Sequence, residues 1–445
     1  MATAEAVVYV CVVSEFTLPT LQACLDRRPA QVVLVASDKF QGTAERLKGL
    51  LDEKLPQSHV QILSKASAGD GLEGDDICAN ALWLNQHLRP LVGHWQTQGL
   101  QPVANVTGGT KAMTLALCSC FAWPQLDYQP INKPAQTVLV HSDGDRAIRF
   151  SATAVHGSVA APIGPKDVAR LYNSHVREEP PNSLCALPAS GAIAQSIWDA
   201  QRARDAGLGA LFKGLERVWT PERSTRAHGD RMSVDWLAFL AEQPSASHAQ
   251  VRDWVQRLGV LAPDWFHADE AALTLPGLGA KQSGKDLRKW ISGDWLEQLA
   301  GLWLEAGGIA PEEIARNLVA SPDATRRSDS NREADLLIHH HNTTSLVEIK
   351  AGLPPGKSPS EMENQLSSLG SRFGKTRKAL LLGPDLLQLL RAQQRAEALW
   401  YRCQASGVAL LLERAHVIEF AHGHDPWREA RKNAVVPEVF KSAAQ

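Results

Sequence analysis

Residues 333–350 constrain the fold more than any other stretch. Glu333-Ala334-Asp335 runs into the apolar Leu336-Leu337-Ile338, three histidines, a polar turn and Ser345-Leu346-Val347-Glu348-Ile349-Lys350. With His341-Asn342 as a two-residue hairpin loop, antiparallel pairing sets Asp335 opposite Glu348 and Glu333 opposite Lys350. Side chains alternate along a strand, so these four charged groups share one face and Leu336, Ile338, Val347 and Ile349 fill the other. Charge on a hairpin is ordinarily a solvated outer face. Here Val347 and Ile349 alternate with Glu348 and Lys350 in a strand apolar enough for a domain interior, where charge is costly unless paired or bound to metal. Paired carboxylates can hold a divalent metal that lowers the pKa of a water, and a nearby ammonium steadies that water or the developing charge. Phosphodiester hydrolysis needs this set, so Asp335, Glu348, Lys350 and Glu333 are the expected catalytic residues.

Upstream, Ser292-Gly293-Asp294-Trp295-Leu296-Glu297 opens an apolar helical run. Its spacing puts Leu296, Leu299 and Trp303 on one stripe with Glu297 at the edge. A glutamate in a first helical turn also suits a plain surface, through the helix dipole.

Residues 103–113 form a second informative segment, an apolar strand running into Gly108-Gly109 and a helix capped by Thr110. Free N–H groups at such a turn, the helix dipole and Lys111 make an anion site. The chain contains no Gly-x4-Gly-Lys-Ser/Thr loop. Strand-like runs at 7–13, 32–36, 60–63, 103–107 and 137–141 alternate with helix-like segments, which predicts a doubly wound sheet. Ligands bind beyond the carboxyl ends of such strands, so the Ser14 loop and the turn at 107–111 are expected to face one pocket.

Asn105-x-Thr107-Gly108-Gly109-Thr110-Lys111-x-Met113 resembles a motif of CARF (CRISPR-associated Rossmann fold) domains, sensors of cyclic oligoadenylate made by type III CRISPR complexes. Asp335, Glu348 and Lys350 resemble the two acids and the lysine of a PD-(D/E)xK nuclease core, with Glu333-Ala334 standing where a proline would precede the aspartate. Both halves in this order look like the CARF-fused ancillary nucleases activated by that messenger. The resemblance implies an α/β chain with a Rossmann-like CARF sensor at 1–160, a helical or winged-helix connector at 165–280 and a restriction-endonuclease-like PD-(D/E)xK domain at 285–445. It implies Ser14, Asn105, Thr107, Gly108, Gly109, Thr110 and Lys111 as the binding set for cyclic oligoadenylate, with cyclic tetra-adenylate as the expected ring. It implies Mn2+ or Mg2+ held by Asp335, Glu348, the Ile349 main-chain carbonyl and Glu297. The implied substrate is DNA and also RNA, and the implied assembly is a homodimer gripping one cyclic messenger with two copies of a loop.

A chain of 445 residues exceeds what one core usually organises, so two or three domains are expected. Seven cysteines, an odd number, fit reduced thiols in a cytoplasmic protein. The longest apolar runs are strand-sized, so no membrane span or secretory leader is expected. A net charge of −2 argues against a protein that coats nucleic acid. Basic residues are local, from Lys281, Lys285, Arg288 and Lys289 through Arg326, Arg327, Arg332 and Lys357 to Arg372, Lys375, Arg377 and Lys378, and suggest a backbone-tracking channel.

Two alternatives stand beside this reading. A metal-independent HEPN ribonuclease uses Arg-x4-6-His, which occurs at Arg170 to His175, Arg89 to His94, Arg223 to His228 and Arg332 to His339. A CARF transcription regulator would bind DNA through residues 165–280 without catalysis. The histidines at 339–341, His422 and His424 are expected to face solvent.

Overall fold

The computed structural model describes residues 5–15, 17–68, 72, 76–121, 126–128, 139–142, 146–150, 163–173, 175–180, 182–186, 189–218, 232–235, 248–261, 267–268, 272–275, 289–321, 332–340, 343–352, 373–374 and 376–441. Strands of the first sheet are β1 (Glu5–Val12), β2 (Pro29–Val35), β3 (His59–Leu63), β4 (Gln101–Asn105), β5 (Leu126–Tyr128), β6 (Leu139–Ser142) and β7 (Arg146–Phe150). Along β1, Val8, Val10 and Val12 pack into one core, while Tyr9, Cys11 and the following Val13 pack into another. A strand apolar on both sides belongs inside a parallel sheet covered on both faces. The sheet order is β3-β2-β1-β4-β5-β7-β6, parallel except for the antiparallel pair β6 and β7.

From β1 the chain winds outward through β2 to β3, and from β4 it winds the other way. The crevice at the carboxyl ends of β1 and β4 is therefore the topological switch point. Strand β4 stops at Asn105, short of the expected end at Thr107, because Asn105 Oδ1 accepts the Thr107 N–H at 2.9 Å and closes a turn.

The middle of the chain contributes β8 (His175–Glu178), β9 (Met232–Asp235), β10 (His267–Ala268) and β11 (Ala272–Leu275). Strands β9, β10 and β11 form a small antiparallel sheet in the order β10-β11-β9. Within the segment expected as a helical or winged-helix connector, Val234 sits in a ladder opposite Leu273, a long-range partner that overrides local apolar spacing, and residues 236–240 lie outside the described residues. The helices Ser190–Ala203 and His248–Leu261 bury Ile193, Ile197, Trp198, Val251 and Trp254 in the same core as Leu336, Ile338 and Val347. Residues assigned to a connector thus share a core with the following sheet.

That second sheet adds β12 (Ile314–Ser321), β13 (Arg332–His340), β14 (Thr343–Lys350), β15 (Arg377–Leu382) and β16 (Val408–Leu411), in the order β16-β15-β14-β13-β12-β8. The chain enters it at β8, earlier than the expected boundary at 285. Strands β13 and β14 are antiparallel, and β14, β15 and β16 run parallel. The helix Pro165–Tyr172 joins the two sheets: Leu171 packs in the core of the first and Ala169 in the core of the second. Ion pairs Lys54–Asp167 and Arg170–Glu53, both at 2.8 Å, fix it to the helix Gln41–Lys54. Among the described residues no helix is long and apolar enough to cross a membrane.

Candidate functional site

The ladder pairs Leu336–Val347 through His340–Thr343 have the expected register, and the expected loop residues 341–342 lie outside the described residues. Beyond Leu336 the strands do not continue as a plain hairpin. Asp335 Oδ2 accepts the Ile349 main-chain N–H at 2.6 Å, so a side chain substitutes for a ladder carbonyl. In an antiparallel strand a residue's N–H and C=O point to the same side, which turns the Ile349 carbonyl toward β13 as well.

Alternation also breaks at this point. Leu336 and Ile338 pack in one core, Ala334 and Leu337 in the other. Strand β12 mirrors the break, since Ala315, Leu318 and Ala320 all pack in the second core. Between them Asn317 has a left-handed φ of 50°, tolerated by its short polar side chain. Pairs Arg316–Leu336 and Leu318–Ala334 flank Asn317 and Asp335. The simple one-face expectation is therefore modified: a kink shared by two strands aims Asp335.

Three charged groups converge there. Lys350 Nζ lies 2.7 Å from Glu348 Oε1 and 3.6 Å from Asp335 Oδ2. Glu348 is 1% exposed and Asp335 9%. Burial, then the Asp335 charge, pushes the Glu348 carboxyl up to about 7. Burial raises Asp335 as well, against the pull of Lys350. Burial works against the Lys350 ammonium, but Asp335 and Glu348 outweigh it and hold its pKa above the ordinary lysine value.

Glu297 lies in the first turn of the helix Trp295–Ala306, which buries Leu296, Leu299 and Trp303 as the stripe predicts. Burial and then the Asp335, Asp294 and Glu333 charges push its carboxyl up to about 9. Glu333 is exposed at the rim, raised by burial and then by Asp335. Asp294 was not expected in this group. It sits at the N-cap of the same helix, is held by Asn182 Nδ2 at 2.8 Å, and its charge bears on Glu297, Glu333 and Asp335. Its position just ahead of the helix that carries Glu297 was the available signal.

Among the described residues no three His, Cys, Asp or Glu side chains already stand together to hold a metal ion. The donor chemistry nevertheless fits a hard divalent cation. Glu348 Oε2 is buried without a hydrogen-bond partner among the described residues, and several carboxylates repel one another across the site.

The 103–113 segment is built mostly from main chain. Thr110 caps the helix Lys111–Cys118, its Oγ1 accepting the Met113 N–H at 3.2 Å. A Cβ on Gly108 would stand 2.6 Å from the Val12 carbonyl oxygen and 3.8 Å from Ser14 Oγ, so the turn after β4 lies against the end of β1. Gly109 adopts a left-handed φ of 90°. Thr114 Oγ1 donates to the Gly108 carbonyl at 2.8 Å and Thr17 Oγ1 to that of Ser14 at 2.7 Å, bracing both loops. Asn105 Nδ2 is buried with no hydrogen-bond partner among the described residues, and Lys111 is exposed. Ser14, Asn105, Thr107, Gly108, Gly109, Thr110 and Lys111 thus lie around the switch-point crevice.

Other expectations need correction. His339 and His340 are 4% and 6% exposed rather than solvent-facing, because His339 Nδ1 bonds Thr344 Oγ1 at 3.0 Å and His340 Nδ1 bonds Glu313 Oε2 at 2.9 Å. Burial drives His339 down to about 4. Arg377, expected in a basic channel, donates to the carbonyls of Phe420 and His424 and lies over the Phe420 ring. Most of the other channel candidates lie outside the described residues, as do Arg223 and His228. Of the Arg-x4-6-His matches, Arg170 is engaged with Glu53 and Arg89 with Asn85.

No family model matches the chain, and neither does any curated protein. Among solved structures, protein VC1899 from Vibrio cholerae superposes with a TM-score of 0.67 at 13% identity, covering 96% of this chain and 99% of that one. Can2 from Sulfobacillus thermosulfidooxidans, solved in complex with cyclic tetra-adenylate, superposes with a TM-score of 0.55 at 15% identity, covering 93% and 95%. At such identities the likeness is one of fold, and it extends over nearly the whole of all three chains.

Proposed function

We propose that this chain is a metal-dependent endonuclease switched on by a cyclic oligoadenylate, with cyclic tetra-adenylate as the ring and DNA, and also RNA, as the substrate in type III CRISPR defence. The observation that carries the nuclease reading is the convergence of Lys350 on Asp335 and Glu348 at a strand kink. A partly buried ammonium beside two buried carboxylates adds little to folding after desolvation, so a catalytic use is the better account of it. The sensor reading is supported by the glycine-lined switch-point crevice and by the shared fold with Can2, a protein solved with cyclic tetra-adenylate.

Asp335 and Glu348, joined by the Ile349 carbonyl and Glu297, would hold Mn2+ or Mg2+, which when bound supplies charge stabilisation and lowers the pKa of water. Lys350 keeps its proton throughout the working range and presents Nζ to a nucleophile or to a phosphate oxygen. Glu297 carries a proton at neutral pH and must release it to serve as a ligand. Two copies of the crevice would grip one ring across a twofold axis. Exposed Leu115 and Leu82, on helices that contact each other beside the crevice, support such a homodimer.

A panel of single- and double-stranded DNA and RNA, incubated with each cyclic oligoadenylate and with Mn2+, Mg2+ or EDTA, tests the reading. Cleavage that needs both messenger and metal is expected. Cleavage that survives EDTA would refute the metal-dependent mechanism.

A further inference from the structure

A cavity of about 530 Å3 lies at the carboxyl ends of β15 and β16, where Leu382 and Leu412 form part of its wall. Leu382 is the register partner of Lys350, so the cavity begins one strand away from the carboxylate cluster. Arg202 and Arg204 reach it from the end of the helix Ser190–Ala203, and Arg391 from the end of the helix Pro384–Ala392. Among the described residues no carboxylate is within ion-pair distance of any of these three guanidinium groups. Glu413, an acid on the same wall, is turned to His416 Nε2 at 3.5 Å. His416 accepts the Leu412 N–H at Nδ1, 3.3 Å away, so the neutral ring carries its proton on Nε2. Its ring meets Trp427 edge-on with centroids 4.7 Å apart, and leucine, proline and valine side chains complete an apolar side.

Arginines with no carboxylate within ion-pair distance among the described residues leave charge for an anion, and their planar forks match phosphate. An apolar, aromatic wall beside them calls for a flat ring on the same ligand. The volume is in the range of pockets that hold one small ligand. We propose that this cavity is a nucleotide subsite. It takes one nucleotide of the nucleic-acid strand next to the scissile position, with the phosphate on Arg204 and Arg391 and the base against His416 and Trp427. The proposal rests on reading the carboxylate cluster as a nuclease centre.

The test is fluorescence anisotropy of a labelled single-stranded oligonucleotide with full-length protein, cyclic tetra-adenylate present and EDTA preventing cleavage. Arg204→Gln/Arg391→Gln should weaken binding about tenfold or more and flatten the salt dependence by roughly 0.7 in slope per lost phosphate contact. Arg395→Gln/Arg402→Gln, which removes the same charge from exposed positions off the cavity, should change affinity less than threefold. Arg391 also donates to the Lys441 carbonyl at 3.1 Å, so if the double variant unfolds early, exposed Arg204→Gln alone carries the comparison. Equal affinities for cavity and control variants, with cleavage intact in metal, would overturn the subsite and leave the nuclease reading standing. A wild-type protein that binds no oligonucleotide overturns both.

Discussion

The switch-point crevice and the carboxylate cluster are built from opposite materials. Around the crevice, main-chain groups, glycines and hydroxyls set the shape, and the cation beside it, Lys111, is exposed. In the cluster the working atoms are buried side-chain charges whose proton affinities are displaced by burial and by each other. Shaped main-chain donors suit binding of an anionic ligand, whereas concentrated side-chain charge lowers a barrier. Damage to the two regions should accordingly look different, one moving the activator concentration and the other the rate.

The largest effect is expected in the cluster. Asp335→Asn or Glu348→Gln should each lower the cleavage rate by about a thousandfold or more, since each removes several kcal/mol of transition-state stabilisation. Messenger binding, measured by calorimetry, should be unchanged. Loss of messenger binding in either variant would break the comparison.

Gly108→Ala should act on the other region, because its Cβ has no space against the Val12 carbonyl. Overpacking there should remove about 1 to 3 kcal/mol of stability. It should also raise the activator requirement more than any change at Lys111. Lys111→Ala removes a charge-assisted contact worth roughly 1 to 3 kcal/mol, which raises the half-activating concentration about tenfold to a hundredfold. Its maximal rate at saturating messenger should recover. An unmoved activation curve would return Lys111 to the solvated helix surface.

The smallest effects concern protons. Glu348 has its folded pKa raised from the ordinary 4.5 to about 7, so in EDTA its contribution to stability is present below 4.5 and is lost as pH rises through 7. Metal affinity runs the other way, rising over that interval as the carboxylate ionises. Glu348→Gln should remove the first slope in thermal melts. Glu297→Gln should be neutral to stability at pH 7, where Glu297 is already protonated, yet weaken apparent metal affinity by about tenfold if the carboxylate reaches the ion. An unchanged metal titration would exclude it as a ligand.

The legibility of the two regions in the sequence also differs. Hairpin register and helix stripe follow from alternation and spacing, so residues 336–340 and 343–347 pair as the letters predict. The kink at Asp335 was hidden because it depends on Asn317 in a neighbouring strand. Burial of His340 was hidden for the same kind of reason, since its partner Glu313 comes from outside the hairpin, whereas His339 bonds Thr344, its predicted cross-strand neighbour. Around the crevice the Thr110 cap and the Gly108-Gly109 turn were readable, whereas the early end of β4 at Asn105 required knowing which atom closes the turn. The middle segment was least legible. Its short strands take their identity from partners such as Leu273 opposite Val234, and its helices from a core contributed by the second sheet.

The dependence of cleavage on the messenger tests the central claim most directly. Wild-type protein in Mn2+ with a labelled nucleic-acid substrate should cut slowly without cyclic tetra-adenylate and much faster as it is titrated in, along a saturable curve that Glu348→Gln flattens to zero and Lys111→Ala displaces to higher concentration. A rate that is the same with and without every cyclic oligoadenylate, or a Glu348→Gln protein that still responds to it, would contradict the account.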